Sequence, residues 1–522
     1  MSEVASSLIA LFERADVNPG LAGNGSGNAL HQSGNKINEY LVRRYPKLVE
    51  EFGWPFEMVT DKRGVSRPVD FNEDFFAGVM GDEGRTVFCT DENRFYRYDA
   101  ESGIFVPIRP EKLAASFSGV LRDVARECAG SPGNEKLEFT FRKSNRVKGV
   151  IERAKGRLDV PSSYFDQEVG KLLAVQNGVL RLADRVLLPF DAAYKLRRTL
   201  AVPFNADARC PQFLEVLLRQ ALTEDDIELL QRWFGLVILG QNRAQVILLL
   251  IGTAGGGKGT IVRILKLLLG PSNVVSLRIR QLEGRFELGR MLSRSLAYGA
   301  DVPADFLNTP GANVLKAITG GDPIAVELKG SNARPEMQLS LNVLITANVR
   351  LRARLEGGED TAAWRRRLRI IQFNNPPPPF PIHDLAERLF REEGPGILNW
   401  GLDGLAKLQA DGFNLWPNAQ QQRIVDDLLT ESDSVYHFVQ DCLRPGDTLK
   451  TLTVTDAHGE YTQYCAARGW NGISRNEFGG KLPPLVSQCL RVAVRNDIVG
   501  MNGRQQQGFR GVVCYRPRHT ET

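Results

Sequence analysis

The chain has 522 residues, 43% hydrophobic and 24% charged, and a net charge of +5 at neutral pH. That balance excludes a mainly disordered chain and leaves room for about three or four domains. The charge is too mild to mark a nucleic-acid binder by itself, so any basic surface must be local.

The longest apolar runs, such as Val246–Ile251, fall far short of the ~20 residues a spanning helix needs. The N-terminus carries acidic residues inside its apolar stretch and has no basic leader, unlike a signal peptide. Seven cysteines are scattered singly, with no CxxC pair and no dense disulfide framework. A cytoplasmic protein without membrane partners is expected.

Glu3–Ala15 reads as a short amphipathic helix, and the Gly-, Asn- and Ser-rich stretch Asn18–Asn35 as a flexible connector. Lys36–Phe52 has helical spacing, with Ile37, Leu41, Tyr45 and Leu48 on one stripe and Pro46 as a break or kink. From Val69 to Pro107 apolar and polar residues alternate around turn signals, which predicts a β-meander. Glu111–Cys128 returns to helical spacing, and Leu172–Pro203 reads as strands with a hairpin signal at Asn177–Gly178. Thr223 precedes Glu224, Asp225 and Asp226, an N-cap followed by an acidic first turn, and opens a helix with Ile227, Leu230, Phe234 and Val237 as its buried stripe.

The stretch QVILLLIGTAGGGKGTIVRILKLLLG carries the most chemistry. An apolar strand, Gln245–Ile251, leads into the glycines of Gly252–Gly257, then Lys258, then a helix over Ile261–Leu269. A phosphate-binding loop needs that order. Gly252, Gly255, Gly256 and Gly257 let backbone N–H groups approach phosphate oxygens, Lys258 reaches the terminal phosphates, and the helix N-terminus adds its positive end. The strict pattern places Ser or Thr directly after the lysine to hold Mg²⁺. Here Gly259 stands there and Thr260 follows, so Thr260 is the candidate hydroxyl. ATP and Mg²⁺ are the expected cofactors.

Asp301 follows a strand-like run, Ser295–Ala300, 43 residues beyond Lys258, and is the candidate acidic partner of Mg²⁺; Asp305 is a second. Another apolar strand, Asn342–Thr346, closes on Asn348, placed to orient water or sense the terminal phosphate. Arg365, Arg366 and Arg367 precede the strand Leu368–Phe373; Arg366 or Arg367 is the candidate to complete a neighbouring subunit's site. The same arginines read alone are a solvated basic cluster. The run Pro376–Pro379 marks a break, and helices resume over Asp384–Leu408 and Gln420–Leu429.

Taken together, Gly252–Thr260, Asp301, Asn348 and Arg365–Arg367 resemble the superfamily 3 helicases, a compact AAA+ group of viruses, phages and plasmids. Lys316, Gly320, Gly321, Asp322 and Lys329 match characteristic positions between the acidic and sensor motifs. The flanks AVQNGVLRL, LAVPFNADARCPQFLEVLL and EEGPGILNWGLDGLAKL resemble the phage and poxvirus primase-helicase branch. Val302 stands where many relatives have a second acidic residue, which leaves the general base unassigned with Asp305 as candidate.

The resemblance implies an α/β fold: an AAA+ P-loop ATPase core, a parallel sheet flanked by helices. An α+β N-terminal domain and a C-terminal winged-helix-like domain flank it. The expected divisions are a helical segment with linker at 1–68, a mixed α+β domain at 69–205, a helical collar at 206–243, the core at 244–380, a helical extension at 381–430 and the winged-helix-like domain at 431–522. It implies an ATP-dependent ring, a homo-hexamer, that moves 3′ to 5′ on single-stranded or forked DNA in replication of a phage, plasmid or integrated element. Residues 1–70 are too short for a primase domain, so a separate primase or polymerase is the expected partner. The alternatives are an ATP-switched initiator or regulator without processive unwinding, and an antiviral defence ATPase.

Two elements are expected to face DNA. ELKGSNARPE reads as a hairpin with Lys329 at its tip, which in such a ring faces the channel. Ser474–Thr522 holds eight basic side chains against three acidic ones. Ser474 with Glu477 forms a capping box, and β-like stretches Arg491–Val499 and Phe509–Tyr515 flank a basic loop. Arg475, Lys481, Arg495, Arg504 and Arg510 are the candidate duplex contacts. The alternative for this segment is a solubilising tail or a protein-docking domain.

Overall fold

Pro46 makes the first break among the described residues. Proline lacks an N–H and disfavours helical backbone in the residue before it. Helix α1 (Ser33–Arg44) therefore stops, and α2 (Pro46–Phe52) begins with the proline in its first turn, where the missing donor costs nothing. The structure is a computed structural model. It describes residues 33–515 other than 61, 63–65, 82–83, 130–134, 166–170, 301, 303–306, 308, 328–335, 349–357, 378, 381, 433 and 501–502. The predicted helix Glu3–Ala15 lies outside the described residues. The chain divides into two units. The first runs up to Asp207 with Leu268–Asn273 and Ala325–Met337; the second holds Ala208–Leu267, Val274–Ile324 and the residues from Gln338 on.

In the first unit, β1 (Phe56–Thr60) and β2 (Ser66–Phe71) pair antiparallel. The predicted meander does not run unbroken from Val69. A helix, α3 (Glu73–Val79), interrupts it because Asn72 caps it. The Asn72 side chain accepts from the Asp74 and Phe75 N–H groups at 3.1 Å each, Glu73 and Asp74 fill the first turn, and Phe75 and Phe76 are buried. The meander proper is β3 (Thr86–Cys89), β4 (Arg94–Asp99) and β5 (Ile104–Ile108). Helices α4 (Pro110–Ala129), α5 (Glu135–Phe141) and α6 (Ser144–Arg157) follow, then a short strand β6 (Asp159–Val160) that pairs parallel with β3. Phe56, Phe71, Phe75, Phe76, Phe117 and Phe141 meet in one aromatic core. The strands β7 (Leu172–Val175), β8 (Gly178–Arg181) and β9 (Val186–Leu188) complete the unit. Val175 pairs with Gly178, so the tight turn is Gln176–Asn177 and the glycine opens the next strand. Asn177 is further tied by paired hydrogen bonds of 2.9 Å to the Phe204 backbone.

The second unit opens on a π-helical turn, Phe213–Leu218, whose first N–H groups have a carboxylate for an acceptor. Gln212 and Phe213 donate to the two oxygens of buried Glu393 at 2.9 and 2.8 Å. Helix α7 (Glu224–Leu239) begins at the Thr223 cap and ends at left-handed Gly240. Along the chain, with the residues of the first unit named above interleaved, then come β10 (Ile247–Gly252), α8 (Lys258–Leu269), β11 (Val274–Ser276), β12 (Leu296–Gly299), α9 (Gly311–Gly320), β13 (Pro323–Ala325), β14 (Glu336–Gln338), β15 (Asn342–Ala347), α10 (Gly358–Arg367) and β16 (Leu368–Phe373). Five strands form one sheet in the order β11-β12-β15-β10-β16, every pair parallel. Ile247–Leu250 and Val343–Ile345 are wholly buried, as strands covered on both faces must be.

Helix α11 (Leu385–Ala410) crosses α7 at backbone distance. A Cβ on Gly404 would meet the Gln231 carbonyl oxygen at 2.0 Å, and one on Gly235 the Leu405 nitrogen at 2.3 Å. Gln231 also donates to the Trp400 carbonyl at 3.0 Å. After α12 (Ala419–Ser432), the C-terminal part folds on its own aromatic core of Phe438, Tyr461, Phe478 and Phe509. Its elements are α13 (Ser434–Cys442), β17 (Leu443–Pro445), β18 (Thr451–Thr453), α14 (Val454–Ala467), α15 (Arg475–Leu490), β19 (Arg495–Val499), β20 (Gln505–Arg510) and β21 (Val512–Cys514). Strands pair as β17-β21 and β18-β20-β19. The stretch expected as one strand over Phe509–Tyr515 is split, because Gly511 turns left-handed at φ +75°. Among the described residues no helix is long and apolar enough to cross a membrane.

The glycine crossing gives a stability prediction. Gly404→Ala forces α7 and α11 apart and is expected to cost about 1–3 kcal/mol, as overpacking does. Gly156→Ala in α6, where a Cβ meets nothing within 4 Å, is expected to be neutral or mildly stabilising. Thermal unfolding of the two variants beside the parent checks this: a lower midpoint for Gly404→Ala only.

Candidate functional site

The site forms where a tight loop joins β10 to α8. The loop is braced from behind by the end of β16. A Cβ on Gly252 would lie 2.3 Å from the Phe373 carbonyl oxygen, and the Thr253 N–H donates to that same oxygen at 3.1 Å. Gly252, Gly255 and Gly257 have φ of +139°, +80° and +98°, which side-chain-bearing residues rarely adopt. Gly256 turns the loop back through its N–H on the Thr253 carbonyl, at 3.2 Å. Pro377 packs on Gly255, and Asn375 donates to the Gln220 carbonyl at 2.8 Å, so the chain leaving β16 passes the loop and is tied to the helical turn ahead of α7.

Lys258 is the first residue of α8 and only 6% exposed. Its Nζ donates to the Gly252 and Thr253 carbonyls at 2.7 Å each, so the ammonium is held at the mouth of the loop it would serve. A cavity of about 440 Å³ opens beside it. The loop lines it with Ala254, Gly255, Gly257, Lys258, Gly259 and Thr260, and α8 with Val262, Arg263 and Lys266. The end of β12 contributes Tyr298 and Ala300, and the end of β15 contributes Thr346 and Asn348. The parallel register makes this possible: Leu250 stands level with Thr346, and Gly299 with Ile345, so three strands end at one mouth. A Cβ at Gly259 would meet nothing within 4 Å, so space does not require the glycine there.

The fold thus gathers Gly255, Gly257, Lys258, Gly259, Thr260 and Asn348 around one cavity, with Gly252 and Gly256 shaping the loop behind it. Asp301 and Asp305 lie outside the described residues, although Ala300 lines the cavity and the Val302 N–H donates to the Thr346 carbonyl at 3.1 Å. Among the described residues no cluster of three His, Cys, Asp or Glu could hold a metal. Arg263, Lys266, Tyr298 and Thr346 escaped the sequence reading. Spacing on α8 points to the first two, since they follow Gly259 at i+4 and i+7, whereas only strand pairing brings in the other two.

The arginine triplet separates into three environments. Arg365 is ion-paired with Asp426 at 2.8 Å. Arg366 is exposed. Arg367 turns inward, 6% exposed, and donates to the Ala363 carbonyl at 3.1 Å beside Gly320. Burial, and then the like charge of Arg366, lower the Arg367 pKa, against the pull of Asp322. Within its own subunit the Arg367 guanidinium thus makes one backbone contact, while its Nε is buried without an acceptor among the described residues. Arg369 is likewise internal, donating to the Leu368 carbonyl at 2.7 Å and the Arg366 carbonyl at 3.2 Å, with burial pushing its pKa down to about 10.

Lys329 lies outside the described residues, between β13 and β14. In the C-terminal part, Arg504 and Arg510 are exposed on the β19–β20 hairpin and Lys481 is half-buried on α15. Arg475 donates to Thr455 Oγ1 at 2.7 Å. Arg495 does not offer a bare charge: it holds Asp497 through two bonds of 2.8 and 2.6 Å, and that hydrogen bonding keeps the Asp497 carboxyl down at about 2.

Residues 87–220 match the family described as D5 N terminal like, and residues 250–367 match a family of unknown function (DUF5906). No curated protein matches. Solved structures similar to this chain include three apo forms of the NrS-1 C-terminal region. One is 12% identical over 83% of this chain and 98% of its own, with a TM-score of 0.44. The others are 11% identical over 85% and 100% at 0.47, and 12% identical over 84% and 99% at 0.45.

The contrast within the triplet is testable by stability. Arg367→Ala removes a buried charged donor and is expected to cost about 1.5–3 kcal/mol. Arg366→Ala is expected to leave the unfolding midpoint within error, because its side chain is solvated. Urea titrations of both variants decide it.

Proposed function

We propose that the chain is an ATP-dependent DNA helicase that works as a ring, in replication of a phage, plasmid or integrated element. The observation that carries this reading is the cavity itself, with Lys258, Thr260 and Asn348 converging at the carboxyl ends of three parallel strands, where open α/β sheets place ligands. The D5 N terminal like match over residues 87–220 agrees with the resemblance of the flanks to primase-helicases.

In this reading the backbone of Gly255–Gly257 and the start of α8 cradle the β-phosphate, and Lys258 leaves its two carbonyls for the terminal phosphates. The oxygen donors Thr260, Thr346 and Asn348 suit a hard cation that keeps most of its waters, so Thr260 and Asp301 are the residues assigned to hold Mg²⁺. The cation would neutralise phosphate charge there. Asn348 orients water at the cavity mouth, and Arg366, solvated on its own subunit, is assigned the role in a neighbouring site. Lys329 is assigned to single-stranded DNA. The order helix, two short strands, two helices and hairpin in residues 434–510 supports the winged-helix reading, with Lys481, Arg504 and Arg510 on duplex phosphates. One observation favours a second reading, an ATP-switched initiator: Gly259 removes the usual metal-holding hydroxyl although the space for one is open.

Turnover and strand separation distinguish the two. The helicase reading expects single-stranded DNA to stimulate ATP hydrolysis and forked DNA to be unwound. The switch reading expects nucleotide-dependent duplex binding without unwinding. In either case Lys258→Ala is expected to reduce hydrolysis to background while the unfolding midpoint stays close to the parent's, and turnover equal to the parent's would refute the site.

The two DNA contacts should separate as well. Lys329→Ala is expected to abolish unwinding and DNA-stimulated hydrolysis while duplex affinity survives. Deleting 474–522 is expected to lower duplex affinity and to flatten its salt dependence by about one log–log unit for every phosphate no longer neutralised. Unchanged duplex affinity at low salt after the deletion would move the C-terminal part to a protein-docking role.

A further inference from the structure

Lys266 is a cation that the motif reading leaves unused, yet it lines the same cavity as Lys258 and Thr260. Gly259, Val262, Arg263 and Lys266 stand at i, i+3, i+4 and i+7 on α8, one face of the helix. Long helical side chains lean toward the helix N-terminus, which here is the loop. Gly259 has no side chain to block that path, and a Cβ there would meet nothing within 4 Å. The Lys266 ammonium rests over the Tyr298 ring, 4.9 Å from its centroid, and Tyr298 is itself part of the cavity wall. The other exposed cation on this face, Arg263, is ion-paired with Glu387. Among the described residues Lys266 pairs with no carboxylate.

Given the nucleotide-site reading above, on which this rests, we propose that Lys266, held by Tyr298, contacts the terminal phosphate of a nucleoside triphosphate and makes the site discriminate triphosphate from diphosphate. The loop and Lys258 grip the part of the phosphate chain that both ligands share. Lys266 reaches the same cavity from α8, about two turns beyond the loop, and is assigned to the phosphate that only the longer chain carries. The glycine at 259 then has a positive role: it trades a hydroxyl beside the loop for an open channel to a second cation. Lys266 is a specificity residue in this account, and Tyr298 positions it.

The test uses the full chain, with ADP and a non-hydrolysable ATP analogue titrated in Mg²⁺ buffer. Lys266→Met is expected to weaken the analogue by about 10- to 100-fold, the worth of a charge-assisted hydrogen bond, and to leave ADP within about twofold. Lys266→Arg keeps the charge and the ring contact and should retain most of the preference. Tyr298→Leu should fall between. Unimpaired ADP binding also certifies that each variant is folded. If Lys266→Met weakens both nucleotides equally or neither, or if Lys266→Arg is as poor as Lys266→Met, the proposal is overturned while the site stands. If the parent chain binds neither nucleotide, the site reading itself fails.

Discussion

The approach of Gly252 to the Phe373 carbonyl is the contact on which the candidate site depends. It brings the backbone of one strand end against that of its neighbour, closer than any side chain would permit. The loop is thereby pinned at its root, and the chain beyond β16 packs on it through Pro377. With its root fixed, the loop presents Lys258 at a defined place, and the sheet presents the ends of β12 and β15 beside it. A site made of short backbone contacts on a buried sheet is preorganised, because little of it has to be ordered when a ligand arrives.

The positive charges of this chain differ more in environment than in number. Several cations that look equivalent in a string of letters are already spent. Arg365 and Arg263 are bound to Asp426 and Glu387, Arg495 to Asp497, and Arg367 and Arg369 to backbone carbonyls inside the fold. Exposed pairs of this kind contribute little to stability, but they remove a bare charge from the surface. Those that face open space, such as Arg366, Lys266 and Arg510, are the ones with something left to offer a phosphate. Local basicity therefore has to be counted after ion pairs are subtracted.

Glycine plays different roles across the fold. In the loop it supplies left-handed backbone and room for close approach. Between α7 and α11, Gly235 and Gly404 let two helices cross at backbone distance, which makes that pair stiff and intolerant of an added methyl group. At Gly259 neither need applies, and this absence of structural demand invites a functional account.

Much of the architecture was legible in the letters because its causes are local. Aliphatic runs marked β10, β15 and β16; the Thr223 and Ser474 caps marked helix starts; the glycines and Lys258 marked the loop. Where local signals compete, the fold departs from the expected strands: Asn72 caps α3 in one, and Gly511 cuts another in two. The membership of the cavity could not be read locally. Lys258 and Asn348 announce themselves by motif, but Tyr298 and Thr346 enter only because β10, β15 and β12 are neighbours in the sheet, at a register no sequence spacing encodes. The same holds for charge: Arg365, Arg366 and Arg367 are one triplet in the sequence and three environments in the fold, since the last turn of α10 points each in a different direction. Which segments become helix, strand or glycine loop follows from the order of residues, because propensity, capping and periodicity act over a few positions. Which side chains share a cavity and which cations remain available emerges in the folded chain, because pairing and burial act between residues far apart in sequence.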